Sequence, residues 1–115
     1  MILLLTTDLM FQSRISGAAR TAGKECLVDK SVERLVERVT APDAVTLVLI
    51  DLTLRTLDLP LEIPRLHEHF TDCKILAYGP HVDVDRLDQA QESGADFVLT
   101  RGQMDRDLAS IIQGA

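Results

Sequence analysis

The sequence predicts an α/β fold, a doubly wound parallel sheet of five strands with helices on both faces. Three observations predict it. Short apolar runs without strict alternation recur along the chain, stretches with helical spacing lie between them, and glycine, proline or polar residues divide the two kinds. A strand that is apolar on both sides belongs in a sheet covered on both sides. Strands alternating with helices imply right-handed βαβ crossovers.

The four apolar runs are residues 2–5, 45–50, 75–78 and 97–99, and a weaker strand at 25–28 suits a sheet edge. The first helix is predicted over 9–22, where Phe11, Ile15, Ala18, Ala19 and Ala22 recur three and four apart and Gly23 offers a stop. The second covers 31–39 with Val32, Leu35, Val36 and Val39 inward and Ser31 as its N-cap. The third is less regular. Leu61, Ile63 and Leu66 lead towards Phe70, and Pro60 and Pro64 confine its start, because proline suits a first turn and breaks an interior. The fourth covers about 82–93 and ends at Gly94, and the fifth covers about 104–112 with Met104, Leu108, Ile111 and Ile112 inward. Five βα units fit the flavodoxin-like strand order 2-1-3-4-5. We expect one domain over residues 1–115, with no linker, repeat or following effector domain.

Composition narrows the function. Of 115 residues, 46% are hydrophobic and 26% charged, a globular balance. Aromatics are only 3%, so the core is aliphatic and no rings are available to stack bases. The net charge of −6, with its twelve basic residues scattered, argues against nucleic acid and against anionic membranes. The N-terminus turns polar at Thr6, too soon for a signal peptide, and no apolar run approaches a membrane span. Cys26 and Cys73 form no metal motif and read as two buried free thiols. The expected compartment is the cytoplasm.

In such a sheet, reactive groups gather at the carboxyl ends of the central strands. Those positions hold Thr6, Thr7 and Asp8, then Asp51 and Thr53, then Tyr78, Gly79 and His81, and finally Thr100, Arg101 and Gly102. Asp51 ends a buried strand. An acid there either has a partner or a task, or is a turn acid open to water, and spacing alone leaves both readings open. His67 and His69 point to different sides of a helix and read as a solvated face, as do Asp83, Asp85, Asp88 and Glu92. Residues 6–10 contain no glycine, which argues against a phosphate-cradling loop for nucleotide or flavin. No catalytic Ser/His/Asp or Cys/His motif is present.

The stretch V-T-L-V-L-I-D-L-T at 45–53 resembles the third strand of response-regulator receiver domains, and E-S-G-A-D-F-V-L-T-R-G-Q at 92–103 resembles the end of their fourth helix and their fifth strand. The resemblance covers the chain in length, strand order and motif placement. It implies that Asp51 matches the aspartate that accepts a phosphoryl group. Thr6 and Thr7 fall where receivers carry two acids that bind Mg²⁺, and Arg101 falls where they carry a lysine. Gly102 stands at their proline. Gly79, or Tyr78 with a shift of one, stands at their Thr or Ser.

These departures matter chemically. Phosphoryl transfer to a carboxylate needs a divalent cation, and Mg²⁺ prefers carboxylates and water. Two threonines supply oxygen without charge. Arg101 is expected either to hold Asp51 in a bidentate pair or to be a solvated loop residue. The leading expectation is a degenerate receiver-like domain that is not an enzyme, binds no cofactor and acts through protein–protein contact. Its partner would be a histidine kinase, a phosphotransfer protein, or a second copy docking on the helix-four, strand-five, helix-five face. The alternative is a functional receiver phosphorylated on Asp51, with Asp8 and Asp51 holding Mg²⁺. A third reading places a small ligand among Tyr78, His81 and Asp51.

Overall fold

The computed structural model describes all of residues 1–115 and is built on a five-stranded parallel sheet, β1 (Ile2–Leu5), β2 (Cys26–Asp29), β3 (Leu47–Asp51), β4 (Lys74–Gly79) and β5 (Phe97–Thr100). Its order is β2-β1-β3-β4-β5. The helices are α1 (Leu9–Thr21), α2 (Val32–Arg38), α3 (Leu59–His69), α4 (Val84–Glu92) and α5 (Arg101–Gln113), with a short 3₁₀ turn at Pro42–Ala44. The predicted fold class and strand order are those observed.

Alternation along the strands sorts the core into two layers. Leu3, Leu5, Val48, Ile50, Ile75 and Ala77 pack with α2, α3 and α4. Ile2, Leu4, Leu47, Leu49, Leu76 and Tyr78 pack with α1 and α5. Parallel pairing sets Leu5 beside Ile50 and Asp51 beside Tyr78. The carboxyl ends of β1, β3 and β4 therefore meet at one edge.

Boundaries moved where a cap or a packing need overrode local pattern. The third helix begins at Leu59, because the Asp58 carboxylate accepts from the Leu61 amide and Leu59 is buried. Pro64 therefore lies inside the helix rather than in its first turn, and burial of Leu59, Ile63 and Leu66 outweighs the backbone hydrogen bond it removes. The fifth helix starts at Arg101, three residues earlier than the pattern predicts. Thr100 accepts from the Gln103 amide while the Gln103 side chain accepts from the Thr100 amide, a reciprocal cap that fixes this start. Gly23 does follow the first helix, at a positive φ of 71° that favours glycine. The far end of α5 is held by Lys24, whose Nζ donates to the carbonyls of Ile112 at 2.9 Å, Gln113 at 2.8 Å and Ala115.

Candidate functional site

Asp51 is the last residue of β3 and is only 1% exposed. Its carboxylate is satisfied by hydroxyls and an amide. The Thr6 hydroxyl donates to Oδ2 at 2.7 Å. The Thr53 amide and hydroxyl donate to Oδ1 at 3.0 and 2.7 Å. Hydrogen bonds to a charged acceptor offset the cost of burying it. No arginine or lysine forms an ion pair with it.

The bidentate Arg101–Asp51 pair weighed from sequence does not form, and Arg101 is not a free loop residue either. Its Nη2 donates to Asp8 Oδ2 at 2.9 Å, and its guanidinium lies 4.3 Å from the centroid of the Phe11 ring. The reason is the early start of α5, which puts Arg101 on the first turn of a helix packed beside α1. Asp8 is the N-cap of α1. Its Oδ1 accepts from the amides of Met10 and Phe11, both at 3.1 Å, and its own amide donates to the Thr6 hydroxyl at 3.0 Å. The Phe11 amide first, and then Arg101, hold the Asp8 carboxyl below its ordinary value.

Tyr78 and Gly79 close the floor. The Tyr78 ring is fully buried and lies 5.1 Å from Phe11, centroid to centroid. Arg101, Phe11 and Tyr78 thus form successive layers on the α1–α5 side of the sheet, the side that also carries Asp51. The Tyr78 hydroxyl has no hydrogen-bond partner. Burial, with the Asp51 charge behind it, pushes this phenol well above its ordinary value. At Gly79, a Cβ would come within 3.0 Å of the Leu52 Cβ, and Leu52 is fully buried.

Solved structures share this architecture along nearly the whole chain. The receiver domain of the sensor histidine kinase PA1611 from Pseudomonas aeruginosa, described with magnesium in its active-site cleft, is 19% identical, covers 98% of this chain and 93% of its own, and superposes with a TM-score of 0.73. A response regulator from Thermotoga maritima is 18% identical over 99% and 97% of the two chains, with a TM-score of 0.69. The beryllofluoride-activated NtrC4 receiver domain dimer is 18% identical over 96% and 91%, at 0.72. The fold is that of receiver domains. No protein-family model and no curated protein matches the sequence. Identities this low establish the receiver fold and leave activity to the site itself.

Set on that receiver fold, the residues expected at the site divide. Thr6, Asp8, Asp51, Thr53, Tyr78 and Arg101 come together as described. Thr7 and Gly102 are exposed, and Gly102 lies on the first turn of α5 instead of a loop. His81 is exposed while Tyr78 and Asp51 are buried, and none of the three lines a cavity, so the structure forms no ligand pocket among them. His67 is not simply solvated. Its Nε2 lies 2.9 Å from the Gly94 carbonyl and 3.6 Å from Asp96, tying α3 to the turn before β5. His69 packs edge-on to Phe70. Both cysteines are free; Cys73 is buried but Cys26 only half-buried, because β2 is a sheet edge.

Arg86 was not anticipated. From α4 its Nε donates to the Leu52 carbonyl at 3.2 Å, and its Nη2 donates to those of Leu54 and Leu57 at 3.0 and 3.1 Å. It pins the β3–α3 loop, which carries Thr53, to α4. Partial burial lowers its pKa from the ordinary arginine value. Sequence offers no signal for this role, since an arginine on an acidic helix reads as solvated.

Proposed function

We propose that the chain is a receiver-like signalling domain in which Asp51 is a structural acid, and that it works through protein–protein contact without magnesium-dependent phosphorylation. One observation carries the reading: the carboxylate at the acceptor position is 1% exposed and both its oxygens accept hydrogen bonds, Oδ2 from Thr6 and Oδ1 from Thr53. A phosphoryl donor must reach a carboxylate oxygen in line, and here none is presented.

The donor set does not fit Mg²⁺. The ion seeks free carboxylates and water in a near-octahedral shell. Asp8 has one oxygen on the α1 amides and the other on Arg101, and Thr6 spends its hydroxyl proton on Asp51. Thr7 adds oxygen without charge. Using Asp8 for metal would cost the ion pair if Oδ2 served and the helix cap if Oδ1 served.

In this reading the partner is a signalling protein of the histidine kinase or phosphotransfer kind, or a second copy, docking on the α4–β5–α5 face. Val84 and Phe97 on that face are 55% and 52% exposed, and a neighbour of the same fold is described as a dimer. No helix is long and apolar enough to cross a membrane, and we place the domain in the cytoplasm with no enzymatic role of its own. The test is incubation with acetyl phosphate and with beryllofluoride, each with and without Mg²⁺, followed by intact mass and by Asp51 backbone resonances. We expect no metal-dependent change. A metal-dependent mass gain located on Asp51 favours the functional receiver, with Asp8 and Asp51 as metal ligands.

A further inference from the structure

A second feature of the carboxyl edge lies outside the acceptor corner. The β1–α1 loop and the β2–α2 turn border a shallow cleft of about 490 Å³ that is widely open to solvent. Its wall carries Lys30, Arg34 and Arg38 against one acid, Asp29, so three positive charges face one negative charge in a chain whose net charge is −6. Thr7 and Gln12 complete the opposite lip with neutral hydrogen-bonding groups.

The single acid arranges the cations. Asp29 ends β2, and its Oδ1 accepts from the amides of Lys30 at 2.7 Å and Ser31 at 3.2 Å. Its Oδ2 accepts from Arg38 Nη1 at 3.1 Å and lies 3.7 Å from Arg34 Nε. Arg38 Nη1 also donates to the Val28 carbonyl at 2.7 Å. The Asp29 side chain is only 8% exposed, whereas those of Arg34 and Arg38 are 67% and 44% exposed. A buried carboxylate thus holds the Arg38 guanidinium by a hydrogen bond and lies within ion-pair range of Arg34, and both guanidiniums are open to solvent. Lys30 forms no ion pair. The second arginine and the lysine leave surplus positive charge in a concave site.

We propose that this cleft binds the dianionic phosphoryl group of a small phosphomonoester, with Arg34 and Arg38 supplying planar N–H pairs and Lys30 a point charge. Fork-shaped donors match phosphoryl oxygens, and the hydrogen bonds of Arg38 to Asp29 and to the Val28 carbonyl reduce the ordering that binding requires of it. The cleft also borders Thr6, the residue whose buried hydroxyl holds Asp51. The inference does not rest on the signalling reading.

The experiment is calorimetric titration of the full chain with inorganic phosphate and with glucose 6-phosphate at constant ionic strength, with acetate as the monoanion control. Saturable binding of both phosphates is expected, and Arg34→Gln and Lys30→Gln should each weaken it by about tenfold. Arg20→Gln, an exposed charge removed from α1 outside the cleft, should leave it unchanged. Both cleft residues are exposed, so the variants should melt as the parent does. Absence of saturable binding at millimolar phosphate overturns the proposal, as does equal binding of acetate. Equal weakening by Arg20→Gln also overturns it, because general charge would then explain the effect.

Discussion

At Tyr78 a phenol hydroxyl is sealed beside Phe11 and Thr6 with no partner, and an unpaired buried polar atom costs stability. Tyr78→Phe keeps the ring and removes the orphan, so it should raise stability by about 0.5–1 kcal/mol, read from urea unfolding at neutral pH. A loss instead would mean that the hydroxyl has a partner in solution. Gly79 illustrates the opposite limit. Placing a threonine there drives its Cβ to about 3.0 Å from Leu52, and Gly79→Thr should cost about 1–3 kcal/mol through overpacking. In a Leu52→Ala background that penalty should shrink, because the obstructing side chain is gone. Packing against Leu52 favours a glycine at this position, and neither the neighbour nor the clash was legible from the linear sequence.

Among elements, the β3–α3 loop and α4 are joined by one side chain. Three carbonyls of that loop lie on Arg86, and the Arg55–Asp83 ion pair adds a second tie. Arg86→Ala should speed amide hydrogen exchange at Thr53 and Leu54 while leaving the β1 amides protected, since the loss is local. Uniform acceleration across the sheet would show a global effect instead. The strands were readable in sequence because a sheet covered on both sides permits only apolar residues at its centre. The starts of α3 and α5 were not. They depend on Asp58 and on the Thr100–Gln103 pair, short polar signals that an apolar-period reading passes over.

For the whole molecule, titration sets the limits of stability. Asp8 and Asp29 have carboxyls held below their ordinary values. Their contribution is present above the unfolded-state value near pH 4 and is lost as pH falls through the lowered folded value. Glu62, raised chiefly by burial, acts in the opposite sense. Asp8→Ala should therefore cost about 1 kcal/mol at neutral pH as a lost cap, and the difference from the parent should narrow on acidification. At the alkaline end, burial pushes the Cys73 thiol from 9.0 up to about 11 and raises Tyr78 as well. Stability tied to these neutral forms is intact below the unfolded values and is lost as pH rises through the folded ones. Denaturant midpoints should fall above about pH 9, and Tyr78→Phe should retain more of its stability there.

The order of strands and helices, the two-faced sheet and the gathering of Thr6, Asp8, Asp51 and Arg101 at one edge followed from the sequence alone. Apolar period and turn residues are local properties, and parallel βα units have one favoured hand. Which partner Arg101 takes, whether Asp51 meets water and what presses on Gly79 were decided only by tertiary structure. Each depends on the distance between elements remote in sequence, here α1 against α5 and Leu52 against β4, and on a helix start set by one reciprocal cap. A linear pattern carries no record of such distances.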